Sequence, residues 1–182
     1  MKKLFLISAV FLFVFNLSAQ RNDKWAVPIQ ANNITNFYQV DKDVYRCGQP
    51  NAEGFIELEK MGIREVLNLR NYHNDNELAR NTKLRLHRIR MNAGDSNWDK
   101  LVIALRIIKN RSGPIVIHCW HGSDRTGMVC ALYRLVFQNW TKEEAINELV
   151  NGGYGYHEIY RNILTFIQEA DIEKMRREIF SE

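Results

Sequence analysis

A buried-looking strand, a polar loop and the start of an apolar helix follow one another in the stretch Ile115-Val116-Ile117-His118-Cys119-Trp120-His121-Gly122-Ser123-Asp124-Arg125-Thr126-Gly127. The β-branched run at 115–117 comes after Gly113-Pro114 and is typical of a strand in the middle of a sheet that is covered on both faces. The apolar residues beyond the loop predict a helix from about Thr126 to Asn139. A loop between a strand and a helix directs backbone N–H groups and the positive end of the helix dipole at one place, which favours an anion there.

Strand-like and helix-like segments alternate on both sides of this stretch. Short strands are predicted at 44–47, 63–69 and 86–90, and helices at 52–61, at 98–110, from the capping pair Thr141/Glu144 and from about Glu158 to the end. Such alternation predicts an α/β layer fold. With 182 residues, of which 46% are hydrophobic and 25% charged, the chain can bury one sizeable core, and a single domain is expected. This composition excludes collagen-like and low-complexity chains.

The first residues have a different character and predict a secretory signal peptide. Lys2 and Lys3 precede an apolar stretch at 4–17, and Ser18-Ala19-Gln20 follows it, so that cleavage is expected after Ala19. The apolar stretch is too short to cross a hydrocarbon core of about 30 Å. We therefore expect a periplasmic or secreted protein without a stable membrane anchor. The expected divisions are the signal peptide at 1–19, an N-terminal extension at 20–40 and the functional domain at 41–182.

The charge of the chain is mildly basic. The formal net charge of +4 falls by two when Lys2 and Lys3 leave with the signal peptide. The remaining surplus suits an anionic ligand, but it is too small to predict nucleic acid as a partner.

Cys119 stands at the start of the loop and Arg125 at its end. A tight turn between them, relieved by Gly122, would bring the sulfur and the guanidinium to the same side. The thiolate is the nucleophilic form of cysteine, and helix N-termini and neighbouring cations stabilise it. The planar fork of an arginine can hold two oxygens of a phosphoryl group while that group is transferred. The chemistry that this pair predicts is phosphoryl transfer to sulfur.

The motif His118-Cys119-x5-Arg125-Thr126-Gly127 resembles the signature of the cysteine-dependent protein tyrosine phosphatase superfamily. The segments 45–50, 66–70 and 151–155 resemble parts of its compact bacterial dual-specificity-like members, so that the resemblance covers about residues 41–168. It implies a central, mostly parallel sheet of four to five strands flanked by helices. It also implies hydrolysis of phosphomonoesters through a phosphocysteine intermediate, without a metal or another cofactor. Phosphotyrosine, phosphoserine or phosphothreonine in a protein, and inositol phosphates, are the substrates that it suggests.

The resemblance also assigns roles to residues. Cys119 would be the nucleophile and Arg125 the phosphate clamp. Thr126 would offer its hydroxyl to the sulfur, and His118 would orient the loop from behind without touching the substrate. The phosphate-binding loop would consist of Trp120, His121, Gly122, Ser123, Asp124 and Arg125.

The general acid, which protonates the leaving oxygen, is less clearly marked. Asp95 is the best match in kind to the family's acid, although it lies closer to Cys119 along the chain than the family pattern suggests; the alternative is that Asp95 caps the following helix. Asp99 is expected to favour the dipole of that helix, and Asp75 to lie in a solvated loop. Asp124 is an unusual residue for an anion site, and it could hold Arg125 or help proton transfer.

Other functions for the same residues remain open. His118, Cys119 and His121 could suggest a metal site, but three ligands on one tight loop can hardly converge on one ion. Cys130 is expected in the core, and Cys47 either packs there or forms a reversible disulfide with Cys119. An activated thiol would also serve a sulfurtransferase or redox protein, and the loop without an acid would serve a non-catalytic phosphate-binding module.

Overall fold

A central sheet of six strands runs through the computed structural model, which describes residues 21–181. The strands are β1 (Val27–Pro28), β2 (Tyr38–Gln39), β3 (Val44–Cys47), β4 (Glu65–Arg70), β5 (Arg85–Met91) and β6 (Ile115–His118). Their order is β1-β2-β3-β6-β4-β5. The pairs β3/β6, β6/β4 and β4/β5 are parallel, whereas the pairs β1/β2 and β2/β3 are antiparallel. The predicted α/β class is confirmed. The sheet exceeds four to five strands because β1 and β2, of two residues each, extend it and are too short to produce a sequence period.

Six α-helices accompany the sheet. They are α1 (Ala52–Lys60), α2 (Trp98–Lys109), α3 (Asp124–Phe137), α4 (Lys142–Asn151), α5 (Arg161–Glu169) and α6 (Ile172–Phe180), with a 3₁₀ turn at Glu158–Tyr160. The capping box that the sequence predicts is present, because the Thr141 side chain accepts from the N–H of Glu144 while the Glu144 side chain accepts from the N–H of Thr141. The predicted helices at 52–61, 98–110 and 126–139 are found with ends shifted by no more than about one turn.

The C-terminal region is not the single helix predicted from Glu158 to the end. Ala170 adopts an extended conformation with ψ of 132°, which ends α5. The next residue, Asp171, starts α6 by accepting a hydrogen bond of 2.8 Å from the N–H of Lys174. The break lets Met175 and Ile179 of α6 join the core cluster that also holds residues of α2 and α3. Packing therefore prevails over the continuous helical pattern.

The two faces of the sheet are covered by separate apolar layers. Val116 lies in a cluster with Phe55 and Leu58 of α1. Its neighbours Ile115 and Ile117 lie in the larger cluster, which contains residues of α2, α3, α5 and α6. Side chains alternate between the faces of a strand, so the β-branched run is buried on both sides, as predicted.

The parallel register brings the ends of three strands to one edge of the sheet. Cys47 of β3 and Asn68 of β4 both lie opposite His118 of β6. The next residue, Cys119, therefore begins its loop at the carboxyl edge, where α/β folds bind ligands. The predicted signal peptide at 1–19 lies outside the described residues. In the part that the structure describes, none of the helices has the length and apolar character needed to cross a bilayer.

A buried ion pair joins α3, α4 and the N-terminal segment. Arg134 donates from Nε and Nη2 to the two carboxylate oxygens of Glu148, each at 2.8 Å. Glu148 also accepts from the N–H of Ala26 at 2.7 Å and from the Tyr154 hydroxyl at 3.0 Å. Burial alone would raise the pKa of Glu148, but its bonds to Arg134 and Ala26 outweigh burial and lower the pKa below the ordinary value. The buried carboxylate of Glu148 is thus balanced by one guanidinium and stabilised by two further hydrogen bonds.

We expect Glu148→Gln to lower the free energy of unfolding by about 3–5 kcal/mol, because it leaves the guanidinium of Arg134 buried without a counter-ion. Urea denaturation measures the loss. Glu173→Gln is the matched control: Glu173 pairs with Arg176 on an exposed helix surface, and its loss is expected to cost about 0.5 kcal/mol or less. Equal losses in the two variants would contradict this account of the ion pair.

Candidate active site

The loop at 119–123 joins β6 to α3 and begins with a thiol enclosed by the protein. Only 2% of the surface of Cys119 is exposed. Gly122 has a φ of +78°, and a Cβ atom there would lie 2.5 Å from the carbonyl oxygen of Cys47. A side chain at position 122 would therefore be strained and would push the loop away from β3. The structure supports the expectation that this turn requires glycine.

The carbonyl groups of the loop are held by donors from the protein body. Three successive carbonyl oxygens accept hydrogen bonds from residues outside the loop. The bonds are Gln49 N–H to Trp120 O at 2.9 Å, Asn36 Nδ2 to His121 O at 2.8 Å and Arg46 Nη2 to Gly122 O at 2.6 Å. These bonds fix the direction of each peptide plane, and the N–H of a peptide points opposite to its carbonyl.

The N–H groups of the same segment are unused within the protein. Among residues 21–181, no backbone carbonyl accepts a hydrogen bond from the N–H groups at 120–126. Ser123 stands at the N-cap position of α3 but does not cap it, because its hydroxyl donates to the carbonyl of Tyr154 at 2.7 Å. A loop of free N–H groups at the start of a helix is an anion-binding arrangement.

Two side chains at the start of α3 also keep unused donors. The Arg125 Nη1 donates to the carbonyl of Met91 at 3.2 Å, whereas its buried Nε has no partner in the described part of the chain. The buried hydroxyl of Thr126 likewise lacks a partner there. Buried polar groups in folded proteins are nearly always hydrogen-bonded, so these two are available to a ligand or a reacting group.

Arg46 supports the loop from below and was not singled out by the sequence. Only 2% of its surface is exposed, and besides its bond to Gly122 its guanidinium stacks on the ring of Tyr154 with 3.6 Å between Cζ and the ring centre. No carboxylate among residues 21–181 forms an ion pair with it. A buried guanidinium without a counter-ion adds positive charge beneath the anion site.

His118 and Asp75 form a buried pair behind the loop, which corrects the expectation that Asp75 lies in a solvated loop. The Nε2 of His118 lies 2.9 Å from Oδ2 of Asp75, and its Nδ1 lies 3.1 Å from the carbonyl oxygen of Cys119. Burial would raise the pKa of Asp75, but its hydrogen bond with His118 and the charge of that ring outweigh burial and lower the pKa. Both ring nitrogens thus lie within hydrogen-bond distance of an oxygen atom.

Two other carboxylates considered as general acid, those of Asp95 and Asp99, lie at the start of α2. Asp95 receives hydrogen bonds from Lys100 Nζ at 2.7 Å and the N–H of Asn97 at 3.1 Å. Burial would raise the pKa of Asp95, but the bonds to Lys100 and Asn97 lower it. The alternative, that Asp95 caps the following helix, is wrong, because the side chain of Asn97 caps α2. Asp99 is exposed in the first turn of that helix.

Asp124 lies at the site and is nearly buried. Its Oδ1 accepts from the backbone N–H of His157 at 2.9 Å, and its Oδ2 lies 2.8 Å from Nδ1 of the same residue. The sequence predicts that Asp124 holds Arg125 or helps proton transfer. The structure shows no hydrogen bond between the two side chains within the described residues and instead ties Asp124 to His157.

A second guanidinium, that of Arg70, lies at the rim of the site. Its Nη1 donates to Gln49 Oε1 at 2.5 Å, and its Cζ lies 4.5 Å from the ring centre of Trp120. Burial lowers the pKa of Arg70; Asp75 opposes this and Arg125 adds to it. Trp120, half of which is exposed, stands between neighbouring cavities of about 250, 670 and 280 Å³. Arg70 lines the first two, and Arg125 the first and third.

The two other thiols, those of Cys47 and Cys130, are enclosed by the protein like that of Cys119. All three cysteines are free and buried. Cys47 packs in the cluster on the α1 face of the sheet, whereas Cys119 belongs to the opposite cluster. Burial, and then the proximity of Cys119, raise the pKa of Cys47 well above its ordinary value. Cys47 thus packs in the core, its disulfide with Cys119 stays a prediction, and Cys130 is in the core as predicted.

The metal site considered for His118, Cys119 and His121 finds no geometric support. In the described range 21–181, no group of three or more His, Cys, Asp and Glu side chains is arranged to hold a metal ion. The absence of a cofactor remains a prediction.

Comparison with known proteins places this geometry in context. The model of the tyrosine phosphatase family matches residues 33–178. The chain is 27% identical to the dual specificity protein phosphatase TpbA of Pseudomonas aeruginosa, over 87% of this chain and 72% of that protein. It is 29% identical to the inositol diphosphatase DSP5 of Arabidopsis thaliana, over 80% of this chain and 74% of that protein.

Solved structures agree with the sequence matches. The crystal structure of TpbA in complex with pTyr superimposes with a TM-score of 0.80 at 25% identity, covering 90% of this chain and all of that one (100%). The catalytic domain of the PP-IP phosphatase SIW14 from S. cerevisiae, in complex with citrate, gives a TM-score of 0.69 at 25% identity, over 81% of this chain and 93% of that one. The α/β architecture is therefore shared with phosphatases.

We expect Asp75→Asn to lower the free energy of unfolding by about 3 kcal/mol, because it replaces the buried carboxylate that His118 contacts by an amide and so weakens a buried polar pair. The contribution of a carboxylate with a lowered pKa is complete above its unfolded pKa, near 4, and is lost as the pH falls through its folded pKa. Wild type should therefore lose more stability than the variant as the pH falls below about 4, as followed by urea denaturation at several pH values.

Glu77→Gln is the control for this variant. Glu77 lies in the same loop and pairs with Arg80 at an exposed position, so its loss should cost about 1 kcal/mol or less and leave the acid slope unchanged. An Asp75→Asn protein with the stability and acid slope of wild type would show that the pair with His118 is not ionic.

Proposed function

Because the chain belongs to the tyrosine phosphatase family, we propose that it hydrolyses phosphomonoesters by moving the phosphoryl group first to Cys119 and then to water. As a member of that family it is a cysteine-dependent phosphoric monoester hydrolase of the tyrosine or dual-specificity type. The observation that carries the proposed mechanism is the direction of the loop: its carbonyls are held by the protein body and its N–H groups at 120–126 are free. This arrangement suits the oxygens of a phosphoryl group.

The proposed reaction has two displacement steps. The thiolate of Cys119 attacks phosphorus, so that an S–P bond forms while the P–O bond to the leaving group breaks and the leaving oxygen takes a proton. Water then attacks phosphorus, so that a P–O bond forms, the S–P bond breaks and the thiolate returns; one proton of the water stays on the phosphate and the other restores the group that protonated the leaving oxygen. The free N–H groups and the fork of Arg125 bind the oxygens in both transition states, where each such donor is worth about 10²–10³ in rate.

Two residues are proposed to act on the sulfur without touching the substrate. The unpartnered hydroxyl of Thr126 can donate to the sulfur and so stabilise it as the leaving group of the second step. His118 contacts the carbonyl of Cys119 and is held by Asp75, so it orients the start of the loop that carries the reacting sulfur.

The proton donor is the weakest part of the assignment from sequence. Asp95 is held by Lys100 and Asn97, and these contacts lower its pKa, which disfavours the protonated form that a general acid needs. It also lines none of the three cavities beside Trp120. A role for Asp95 in catalysis therefore requires a rearrangement of its loop, and it stays a prediction.

The substrates that we propose are a phosphorylated protein or an inositol phosphate. Trp120 and the strongly exposed Tyr72 both line the cavity of about 250 Å³, which Arg125 also lines. Both rings can contact an aromatic phosphoester there. Arg70 provides positive charge for a second anionic group of the same substrate. TpbA, solved in complex with pTyr, and the inositol diphosphatase DSP5 support these two classes.

The rival functions fit the site less well. A sulfurtransferase or redox protein would use Cys119 but has no need for the unpartnered Arg125 and Thr126 donors. A non-catalytic module would bind phosphate with the same loop and would not turn it over. Turnover of phosphoesters and a phosphoryl group trapped on Cys119 would distinguish a phosphatase from both rival functions.

We expect Cys119→Ser to abolish the hydrolysis of an aryl phosphate, a phosphotyrosyl peptide and inositol phosphates while it retains phosphate binding. Arg125→Lys should lower kcat/KM by about 10²–10³, because a lysine cannot reproduce the planar fork.

Acid quenching of the wild-type enzyme during turnover, followed by mass spectrometry, should find one phosphoryl group on Cys119. Cys130→Ala is the control, since Cys130 is a buried thiol of the core and its loss should leave turnover intact. Hydrolysis by Cys119→Ser would refute the mechanism, and a wild type that binds phosphate without turnover would favour the module.

We also propose that residues 1–19 direct export and that the mature enzyme acts in the periplasm or outside the cell. The full-length chain, expressed in a bacterium with a periplasm, should be recovered outside the cytoplasm with Gln20 as its first residue, as N-terminal sequencing shows. Replacing Lys2 and Lys3 together by Glu should retain the precursor in the cytoplasm. Recovery of the wild-type chain uncleaved in the cytoplasm would contradict export.

A further inference from the structure

Arg21, in the segment before β1, is joined to the turn that follows α4. Its Nη1 donates to the carbonyl of Gly152, and its Nη2 donates to the hydroxyl of Tyr154 at 3.0 Å and to the carbonyl of Ala26 at 2.8 Å. Its Cζ lies 5.3 Å from the ring centre of Tyr38 and 5.4 Å from that of Tyr154, within the range of cation–π contacts. Arg21 therefore fastens the turn by hydrogen bonds and by contacts with aromatic rings.

The turn at 152–155 has little stiffness of its own. Gly152 and Gly153 precede Tyr154, and Gly155 follows it. Gly153 and Gly155 have φ of +79° and +75°. Glycine adopts such conformations readily, but it also restricts the backbone less than any other residue. The position of Tyr154 therefore depends on contacts from outside the turn, and those of Arg21 are among them.

The carbonyl of Tyr154 is bonded to the phosphate-binding loop. It accepts a hydrogen bond of 2.7 Å from the hydroxyl of Ser123. It also accepts one of 2.9 Å from Nδ2 of Asn36, and the same nitrogen donates to the carbonyl of His121 at 2.8 Å. A shift of Tyr154 would thus pull on two residues of the loop, one directly and one through Asn36.

The ring of Tyr154 reaches the loop by a second route. It lies 3.6 Å from Cζ of Arg46, whose Nη2 donates to the carbonyl of Gly122 at 2.6 Å. No carboxylate in the described range 21–181 pairs with Arg46, so the negative face of the ring is what this guanidinium stacks on. Tyr154 therefore supports three successive loop residues, 121–123, and Arg21 holds Tyr154.

We propose that Arg21 is a positioning residue of the phosphate-binding loop. Through Tyr154 it fixes the carbonyls of His121 and Gly122, and because a peptide is planar it thereby fixes the N–H groups that receive the phosphoryl oxygens. This inference rests on the proposed function. Arg21 lines none of the three cavities beside Trp120, so it acts through the turn and not on the substrate.

The N-terminal extension thereby gains a function. The tyrosine phosphatase family model matches residues 33–178, so Arg21 lies before the matched region and that match assigns it no role. Its contacts with the turn join residues that are 131 and 133 positions apart along the chain. The segment that precedes the matched region is therefore expected to contribute to catalysis.

The test compares Arg21→Ala with wild type on nitrophenyl phosphate. We expect kcat/KM to fall by about ten- to a hundredfold, because small displacements of the loop misalign its donors with the transition state. Vanadate, which mimics that transition state, should inhibit the variant more weakly by a similar factor. Arg21→Lys keeps a cation and a donor but not the planar fork, so both effects should be smaller and in the same direction.

The inhibition constant of vanadate separates positioning from stability. A variant that merely unfolds in part contains fewer active molecules, so kcat falls in proportion while the inhibition constant of the folded molecules stays at the wild-type value. Thermal unfolding gives the folded fraction at the assay temperature. Arg21→Lys carries the test if Arg21→Ala does not fold.

Lys24→Ala is the matched control. Lys24 lies in the same segment, and its side chain is 71% exposed and pairs with Glu144 at the surface. Its loss should leave kcat/KM and the inhibition by vanadate at the wild-type values.

Wild-type kcat/KM and vanadate inhibition in Arg21→Ala would overturn the inference. A fall in kcat that matches the unfolded fraction, with unchanged inhibition by vanadate, would also overturn it, and so would equal losses in Lys24→Ala. These results differ from failure of the proposed function, in which wild type would not hydrolyse nitrophenyl phosphate or Cys119→Ser would do so.

Discussion

The direction of a few peptide planes is the constraint on which the site depends. Asn36, Arg46 and Gln49 donate to the carbonyls of His121, Gly122 and Trp120 respectively, and the N–H groups of the loop are left without acceptors in the described chain. Unpaired N–H groups are costly in a protein interior unless a ligand or water satisfies them. The fold tolerates this cost at the carboxyl edge of the sheet, where Gly122 alone permits the turn to pass β3 so closely.

Charged and polar side chains surround the loop, and the guanidinium groups among them also favour an anion there. Arg46 lies beneath the loop, the His118–Asp75 pair behind it and Arg70 at its rim. Gln49 joins two of these groups, since it accepts from Arg70 and donates to Asp75 at 3.1 Å. The guanidinium of Arg70 at the rim is thereby connected through hydrogen bonds to the carbonyl of Cys119. Such networks specify one arrangement because every member needs its partner.

Features that depend on neighbouring residues were predicted from the sequence, whereas contacts between residues far apart along the chain were missed. The α/β class, the capping box and the loop between Cys119 and Arg125 follow from short-range patterns, and the structure contains them. Asp75 was expected in solvent because its neighbours are polar, yet a partner 43 positions away buries it. The contact of His157 with Asp124 gave no signal in the sequence, since it depends on where the chain after α4 returns to the loop. The C-terminal break at Ala170 arises from core packing, which overrides helical periodicity.

A crystal structure of the wild-type protein with bound vanadate would test the central claim most directly. The account predicts vanadium bonded to the sulfur of Cys119, with its oxygens contacted by the N–H groups at 120–125 and by Nε of Arg125, while the three loop carbonyls keep their present donors. Vanadate bound elsewhere, or a loop whose carbonyls turn towards the anion, would contradict it.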